Sequence, residues 1–189
     1  MTRDQNANGC QQNHVLGKAE LRQSKSDRTT FAARRRNPVT VVLDGVTGHY
    51  NIGAFFRLCD AFLVERLVIC GSAVALRNRK FVQAAAGSVR WVPWQEENDA
   101  AAFVRSAAAE GHWVAVVELT AESVSPEALR PRFPAVLVLG SESSGVSRDV
   151  LACADQAVAI PMLGMGNSLN VATAGAIVLH ELIRQYEAE

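Results

Sequence analysis

The sequence predicts an α/β fold, a mostly parallel sheet with helices on both faces, and three features of its 189 residues carry that reading. Short runs rich in β-branched residues recur from Pro38 onward and alternate with segments of helical spacing, the pattern of strands joined by crossover helices. Glycine-bearing or polar turns stand where the strand-like runs end. The last segment is apolar or small on almost every side from Leu169 to Leu179, as in a helix buried against a sheet or a second subunit.

In chain order, strands are expected near 39–43, 66–69, 89–92, 113–117, 135–139 and 157–160, each a short β-branched or apolar run. Length, alanine content and apolar spacing place helices at 52–62, 81–85, 99–110, 148–153 and 169–186. Residues 1–37 are different: rich in Asn, Gln, Ser, Lys and Arg, they end in Arg34-Arg35-Arg36 and read as a flexible basic tail. A solvated leader and an arm that tracks phosphates both fit this tail. Residues 38–189 then form one catalytic-size domain without internal repeats.

Composition narrows the function classes. The apolar stretches at 135–140 and 169–179 fall short of the roughly 20 residues a membrane-spanning helix needs, so no membrane partner is expected. The polar start shows no apolar run followed by a small-residue cleavage site, which argues against a secretory leader and for a cytoplasmic protein. Cys10, Cys59, Cys70 and Cys153 are widely spaced, form no C-x-x-C pair and have no histidine at ligand spacing. They read as free thiols, with neither a disulfide framework nor a metal site expected. The 19 Lys and Arg balance 19 Asp and Glu, so an RNA partner depends on where the charge sits.

Ligands of open α/β sheets bind at the carboxyl ends of the strands, which makes the three turns the candidate site. In the first, from Leu43 to Arg57, a strand gives way to a polar turn and then to a helix in which Arg57 stands among Phe55, Phe56, Leu58 and Cys59. Taken alone, Arg57 fits a surface arginine whose stem lies along an amphipathic helix, and Asn51 fits an N-cap. The second, Gly140-Ser141-Glu142-Ser143-Ser144-Gly145, lets the backbone approach a ligand closely. No Lys-Ser/Thr follows it and Glu142 does not suit a phosphate cradle, which excludes a nucleoside triphosphate loop. The third runs from Ile160-Pro161-Met162 through Gly164 and Gly166 to Ser168-Leu169-Asn170-Val171. There Ser168 is placed to cap the last helix, with Asn170 in its first turn. A dinucleotide site would need G-x-G-x-x-G after the first strand, and the turn reads Gly45-Val46-Thr47-Gly48 instead. Of the remaining candidates, His49 is an exposed loop histidine or a proton acceptor, while His112 and His180 are structural. Trp91 and Trp113 fit the core, and Trp94 is the exposed one that suits stacking on a base.

Together, and in this order, the three segments resemble the SpoU (TrmH) family of RNA ribose methyltransferases within the SPOUT superfamily. Asn51-Ile52-Gly53 with Arg57 matches its first motif, Gly140-Ser141-Glu142-Ser143-Ser144-Gly145 its second, and Ile160-Pro161-Met162 with Ser168-Leu169-Asn170-Val171 its third. The resemblance spans about 39–186. It implies transfer of a methyl group from S-adenosylmethionine to a ribose 2′-hydroxyl of tRNA or rRNA. It also implies a C-terminal deep trefoil knot, in which the chain threads beneath an earlier loop to build the cofactor pocket, and a homodimer in which Arg57 faces the partner subunit's methyl donor. Leu119, Gly140, Ile160, Met162, Ser168 and Leu169 are then expected against the cofactor, and Arg57, Asn51, Glu142, Ser168 and Asn170 in catalysis.

Methyl transfer from a sulfonium needs in-line geometry and a place for the proton, and no metal. The resemblance gives Arg57 a part in activating the hydroxyl. A guanidinium is a poor proton acceptor at neutral pH, so the easier role is to hold the target phosphate or sugar and stabilise the developing alkoxide, with the other four orienting the hydroxyl. Leu63 departs from the pattern, standing at a helix end where relatives usually carry glycine. Many relatives also carry an N-terminal RNA-binding domain, where only the basic tail is expected here. The competing reading is a non-catalytic RNA-binding protein on the same fold; the joint presence of Asn51, Arg57, Glu142, Ser168 and Asn170 favours the enzyme.

Overall fold

The computed structural model describes residues 15–23, 25 and 27–188, and the chain divides after Arg35 into two units. The first carries two short helices, α1 (Lys18–Gln23) and α2 (Arg28–Ala32). Asp27 caps α2, its Oδ1 accepting from Thr29 N at 2.9 Å and Thr30 N at 3.0 Å. These two helices fall inside the stretch expected as a tail; Cys10 and the rest of residues 1–14 lie outside the described residues.

The second unit holds six strands: β1 (Asn37–Asp44), β2 (Val64–Cys70), β3 (Trp94–Glu97), β4 (Trp113–Val117), β5 (Ala135–Gly140) and β6 (Gln156–Val158). Between and after them come α3 (His49–Ala61), α4 (Arg79–Ala85), α5 (Ala100–Ala109), α6 (Arg148–Leu151) and α7 (Val171–Tyr186). The strands make one sheet in the order β3-β2-β1-β5-β4-β6, and every neighbouring pair is parallel. The period-two alternation of a strand explains how both faces are filled. Val39, Val41 and Leu43 join Phe55, Phe56, Phe81, Leu179 and Leu182 in one core, under α3, α4 and α7. Val42, Val68 and Val138 join Ala101, Val104 and Val150 in the other, under α5 and α6. The expected α/β sheet with helices on both faces is therefore the observed one.

Several local expectations fail for identifiable reasons. The run at 89–92 is no strand: Ala86 and Gly87 take left-handed φ angles of 48° and 88° that end α4, and Ser88–Arg90 closes a tight 3-10 turn. The strand begins later, at Trp94, where its residues pair with Leu67 onward. Trp94 is accordingly half-buried, edge-on to Phe56 at 5.5 Å between ring centres, and not the exposed stacking platform anticipated. Trp91 falls in the turn, half-buried, while Trp113 is core as expected.

Within the chain α7 packs one stripe against the sheet and α3, while Thr173 and a 40% exposed Ile177 stand on its outer side. Gly175 lets it lie close: a Cβ there would sit 2.6 Å from Phe55 Cε1 and 3.0 Å from Leu139 Cδ2. Its cap is Asn170, whose Oδ1 accepts from Ala172 N at 3.0 Å, and not Ser168. Among the described residues no helix is long and apolar enough to cross a membrane.

Candidate active site

Because all six strands are parallel, the turns that follow them gather on one edge of the sheet. At the centre of that edge Asp44, the last residue of β1, is in register with Gly140, the last of β5. Here the strand order reverses, since β1 leads outward to β2 and β3 on one side while β4 and then β6 follow β5 on the other. A cleft of about 670 Å³ opens beside this point, lined by the segments after β4, β5 and β6. All six residues expected at the cofactor line it: Leu119, Gly140, Ile160, Met162, Ser168 and Leu169. Glu142 lines it too.

The loop after β5 folds straight back over its own strand. Ser141 and Gly145 pair as an isolated antiparallel bridge, with Gly145 N donating to Ser141 O at 2.9 Å. A Cβ on Gly140 would overlap the Gly145 backbone, so glycine is a steric requirement there. Two carboxylates from the strands on either side hold the returning chain. Glu118, just beyond β4, accepts from Val146 N at 2.9 Å, and Asp44 accepts from Ser147 N at 2.8 Å. The sequence reading passed over both, although an acidic residue closing each of two apolar strands that flank β5 was the available signal.

Three of the five expected catalytic residues form one hydrogen-bonded string. Asn51, in the first turn of α3 and only 8% exposed, donates from Nδ2 to Glu142 Oε1. Its Oδ1 accepts from Asn170 Nδ2 at 3.1 Å, and Asn170 Oδ1 caps α7. Each amide is oriented by its partners, because a carboxylate only accepts and a helix N–H only donates. The string ties the loop bearing Glu142 to the starts of α3 and α7. Ser168 lines the cleft outside the string. Arg57 does not line the cleft; it lies on the exposed side of α3 with no hydrogen bond or ion pair among the described residues.

The site matches one known family along most of the chain: the profile of the SpoU rRNA Methylase family covers residues 38–180. The chain belongs to that family. It is 34% identical over 155 residues to a tRNA (guanosine(18)-2′-O)-methyltransferase of Escherichia coli K12, covering 81% of this chain and 66% of that one, just under two thirds of its length. The protein of the same name from Thermus thermophilus is 32% identical over 167 residues, 88% of this chain and 85% of the relative. Among solved structures, the A. aeolicus TrmH/SpoU tRNA modifying enzyme superposes with a TM-score of 0.74 at 31% identity, covering 84% of this chain and 80% of that one. An AdoMet-bound rRNA methyltransferase from Sinorhizobium meliloti gives 0.72 at 28% identity, covering 82% and 60%.

Within this SpoU-family chain the other candidates sort by their surroundings. His49 begins α3 half-buried, its Nδ1 enclosed without a hydrogen-bond partner among the described residues, so it is not the exposed loop histidine anticipated. His112 is structural as expected, its Nδ1 3.1 Å from the Ala107 carbonyl. His180 stands edge-on to Phe62. Burial first, and then the Asp44 carboxylate, push the Cys70 thiol up to about 12, which keeps it protonated and unreactive at neutral pH. Cys59, Cys70 and Cys153 are all free thiols. No cluster of metal-ligating side chains occurs among the described residues.

Proposed function

We propose that this chain transfers a methyl group from S-adenosylmethionine to a ribose 2′-hydroxyl of tRNA or rRNA. The observation that carries the reading is the Glu142–Asn51–Asn170 string at the edge of the cleft, which joins residues from all three motifs. The cleft fits the cofactor. Its volume of about 670 Å³, its apolar walls at Leu119, Ile160, Met162 and Leu169, and the bare backbone at Gly140 are what a nucleoside-sized ligand needs. When bound, that cofactor supplies an electrophilic methyl group.

The chain's own residues position the acceptor. Asn51 occupies one oxygen of Glu142, while Oε2 has no hydrogen-bond partner among the described residues and is open to orient a hydroxyl. Ser168 and Asn170 hold the neighbouring backbone and sugar groups. Arg57 grips the target phosphate or sugar and stabilises the alkoxide as its proton passes to solvent water; the O–CH3 bond would form as the S–CH3 bond breaks, leaving the cofactor as a neutral thioether. Because Arg57 stands away from its own cleft, we read the working form as a homodimer in which each arginine serves the partner's site, in the cytoplasm. The C-terminal segment is read as a deep trefoil knot. Support comes from the way 158–171 and the loop after β5 line one cleft before Asn170 bonds back to Asn51.

The test is methyl transfer from radiolabelled S-adenosylmethionine to tRNA and to rRNA from a strain lacking the protein. Label recovered as a 2′-O-methylnucleoside, and lost with Glu142→Ala, is the expected result. Cofactor binding without transfer to either RNA would sink the reading, and binding of RNA without cofactor would favour the non-catalytic alternative.

A further inference from the structure

Charge in this chain balances overall, yet residues 71–94 carry Arg77, Arg79, Lys80 and Arg90 and no Asp or Glu at all. Three of these, Arg77, Arg79 and Lys80, cluster where the segment after β2 enters α4. All three are exposed, and none has an ion pair among the described residues. Between them Asn78 has its side chain engaged, Oδ1 accepting from Lys80 N at 2.9 Å, which fixes the bend that presents the cations.

The place of this cluster matters more than its charge. α4 follows β2, so its start lies on the same edge of the sheet as the cleft. It also lies beside the start of α3: a Cβ on Gly53 would sit 2.6 Å from the Phe81 carbonyl oxygen and 2.9 Å from Ala84 Cβ. The first turn of α3 carries Tyr50, 58% exposed, next to the buried Asn51 of the hydrogen-bonded string. Exposed Leu76 and Val82 flank the cations. Cations beside an exposed aromatic ring, with no acid among them, match a polyanion whose bases have planar faces.

We infer that Arg77, Arg79, Lys80 and Tyr50 form a docking surface for the RNA strand adjoining the target nucleotide, the three cations on successive phosphates and the Tyr50 ring on a base. This rests on the methyl-transfer reading and extends it, because it assigns substrate capture to residues that neither line the cofactor cleft nor share in the string's side-chain hydrogen bonds.

Filter binding of unfractionated tRNA across a salt series tests it, with cofactor affinity measured alongside. In R77Q/R79Q/K80Q the slope of log affinity against log salt falls by about 2, and affinity near 0.15 M salt drops about tenfold or more. Tyr50→Ala weakens binding about tenfold and leaves the slope in place, because stacking releases no counterions. Arg105→Gln, on α5 and the opposite face, changes neither. Cofactor affinity is the same in all three variants, which shows them folded. An unchanged slope in the triple variant, an equal fall in the Arg105 variant, a change of oligomeric state, or no binding of tRNA by the unaltered protein would each overturn the inference. Absence of methyl transfer by a protein that still shows these binding effects would instead overturn the reaction.

Discussion

The two halves of the carboxyl edge are built differently. The segments after β4, β5 and β6 wall a cleft; the chain after β1 and β2 leads instead into α3 and α4, packed so closely that Gly53 has no room for a methyl group. The first half assembles a complete pocket from one chain. The second holds Asn51 inside that assembly and sends Arg57, three residues on from Ala54, out to solvent. One half closes a cleft within the chain, and the other turns Arg57 out to solvent.

The largest expected effect tests that division directly. Arg57→Ala lowers methyl transfer about 10²–10³-fold and leaves cofactor affinity unchanged, since the side chain does not line the cleft. Mixing Arg57→Ala subunits with Glu142→Ala subunits then restores about a quarter of the unaltered activity. In the proposed homodimer half of the dimers would be mixed, and each mixed dimer would hold one intact arginine facing one intact cleft. No recovery on mixing, with subunit exchange verified by mass, would place Arg57 at its own chain's site and end the comparison.

Next in size is Gly53→Ala. Overpacking α3 against α4 costs about 1–3 kcal/mol, read as a lower denaturation midpoint. The cleft lies elsewhere, so cofactor affinity below the transition is retained. A neutral substitution would show that α4 gives way easily and that this half is not the rigid one.

The same contrast explains what could be read from the sequence. β1, β2, β4 and β5 were legible because a parallel strand covered on both faces is a short apolar run with no competing period. The residues expected at the cofactor came from the family resemblance, and the structure brings them to one cleft; Gly140 is glycine there because a side chain would strike the returning backbone. The run at 89–92 misled because β-branched residues also fill a tight turn once Gly87 has set its direction. Ser168 misled because two residues capable of capping stand two apart, and only the bond from Asn170 to Asn51 selects between them. Asp44 and Glu118 stayed hidden, since their bonds depend on β1 and β4 flanking β5: Asp44 reaches Ser147 across 103 residues of sequence and Glu118 reaches Val146 across 28.

Glu118 supplies the third test. Removing its carboxylate with Glu118→Ala frees Val146 N and loosens the loop that carries Glu142, and cofactor affinity falls about tenfold, or ~1.4 kcal/mol. Glu118→Gln keeps an acceptor oxygen and most of the affinity. Equal loss in both variants would mean that the charge acts on the ligand itself and not through the loop.

The smallest effect concerns how the tightly packed half ends its helices. Ala86 closes α4 at φ 48°, and Leu63 follows α3 at φ 49°, the conformation in which an L side chain is strained and glycine is not. Ala86 is exposed and its N–H already bonds the Val82 carbonyl at 3.2 Å, so nothing is lost on removing its methyl group. Ala86→Gly therefore stabilises the fold by about 0.5–1 kcal/mol, the relief of strain exceeding the added freedom of the unfolded chain. Leu63, half-buried and apart from both cores, gains less from the same change, because some contact goes with its side chain. The ordering of the two midpoints is the decisive reading: a larger gain at Leu63 would mean that its side chain is held against no favourable surface, and that strain alone sets the cost of ending α3 there.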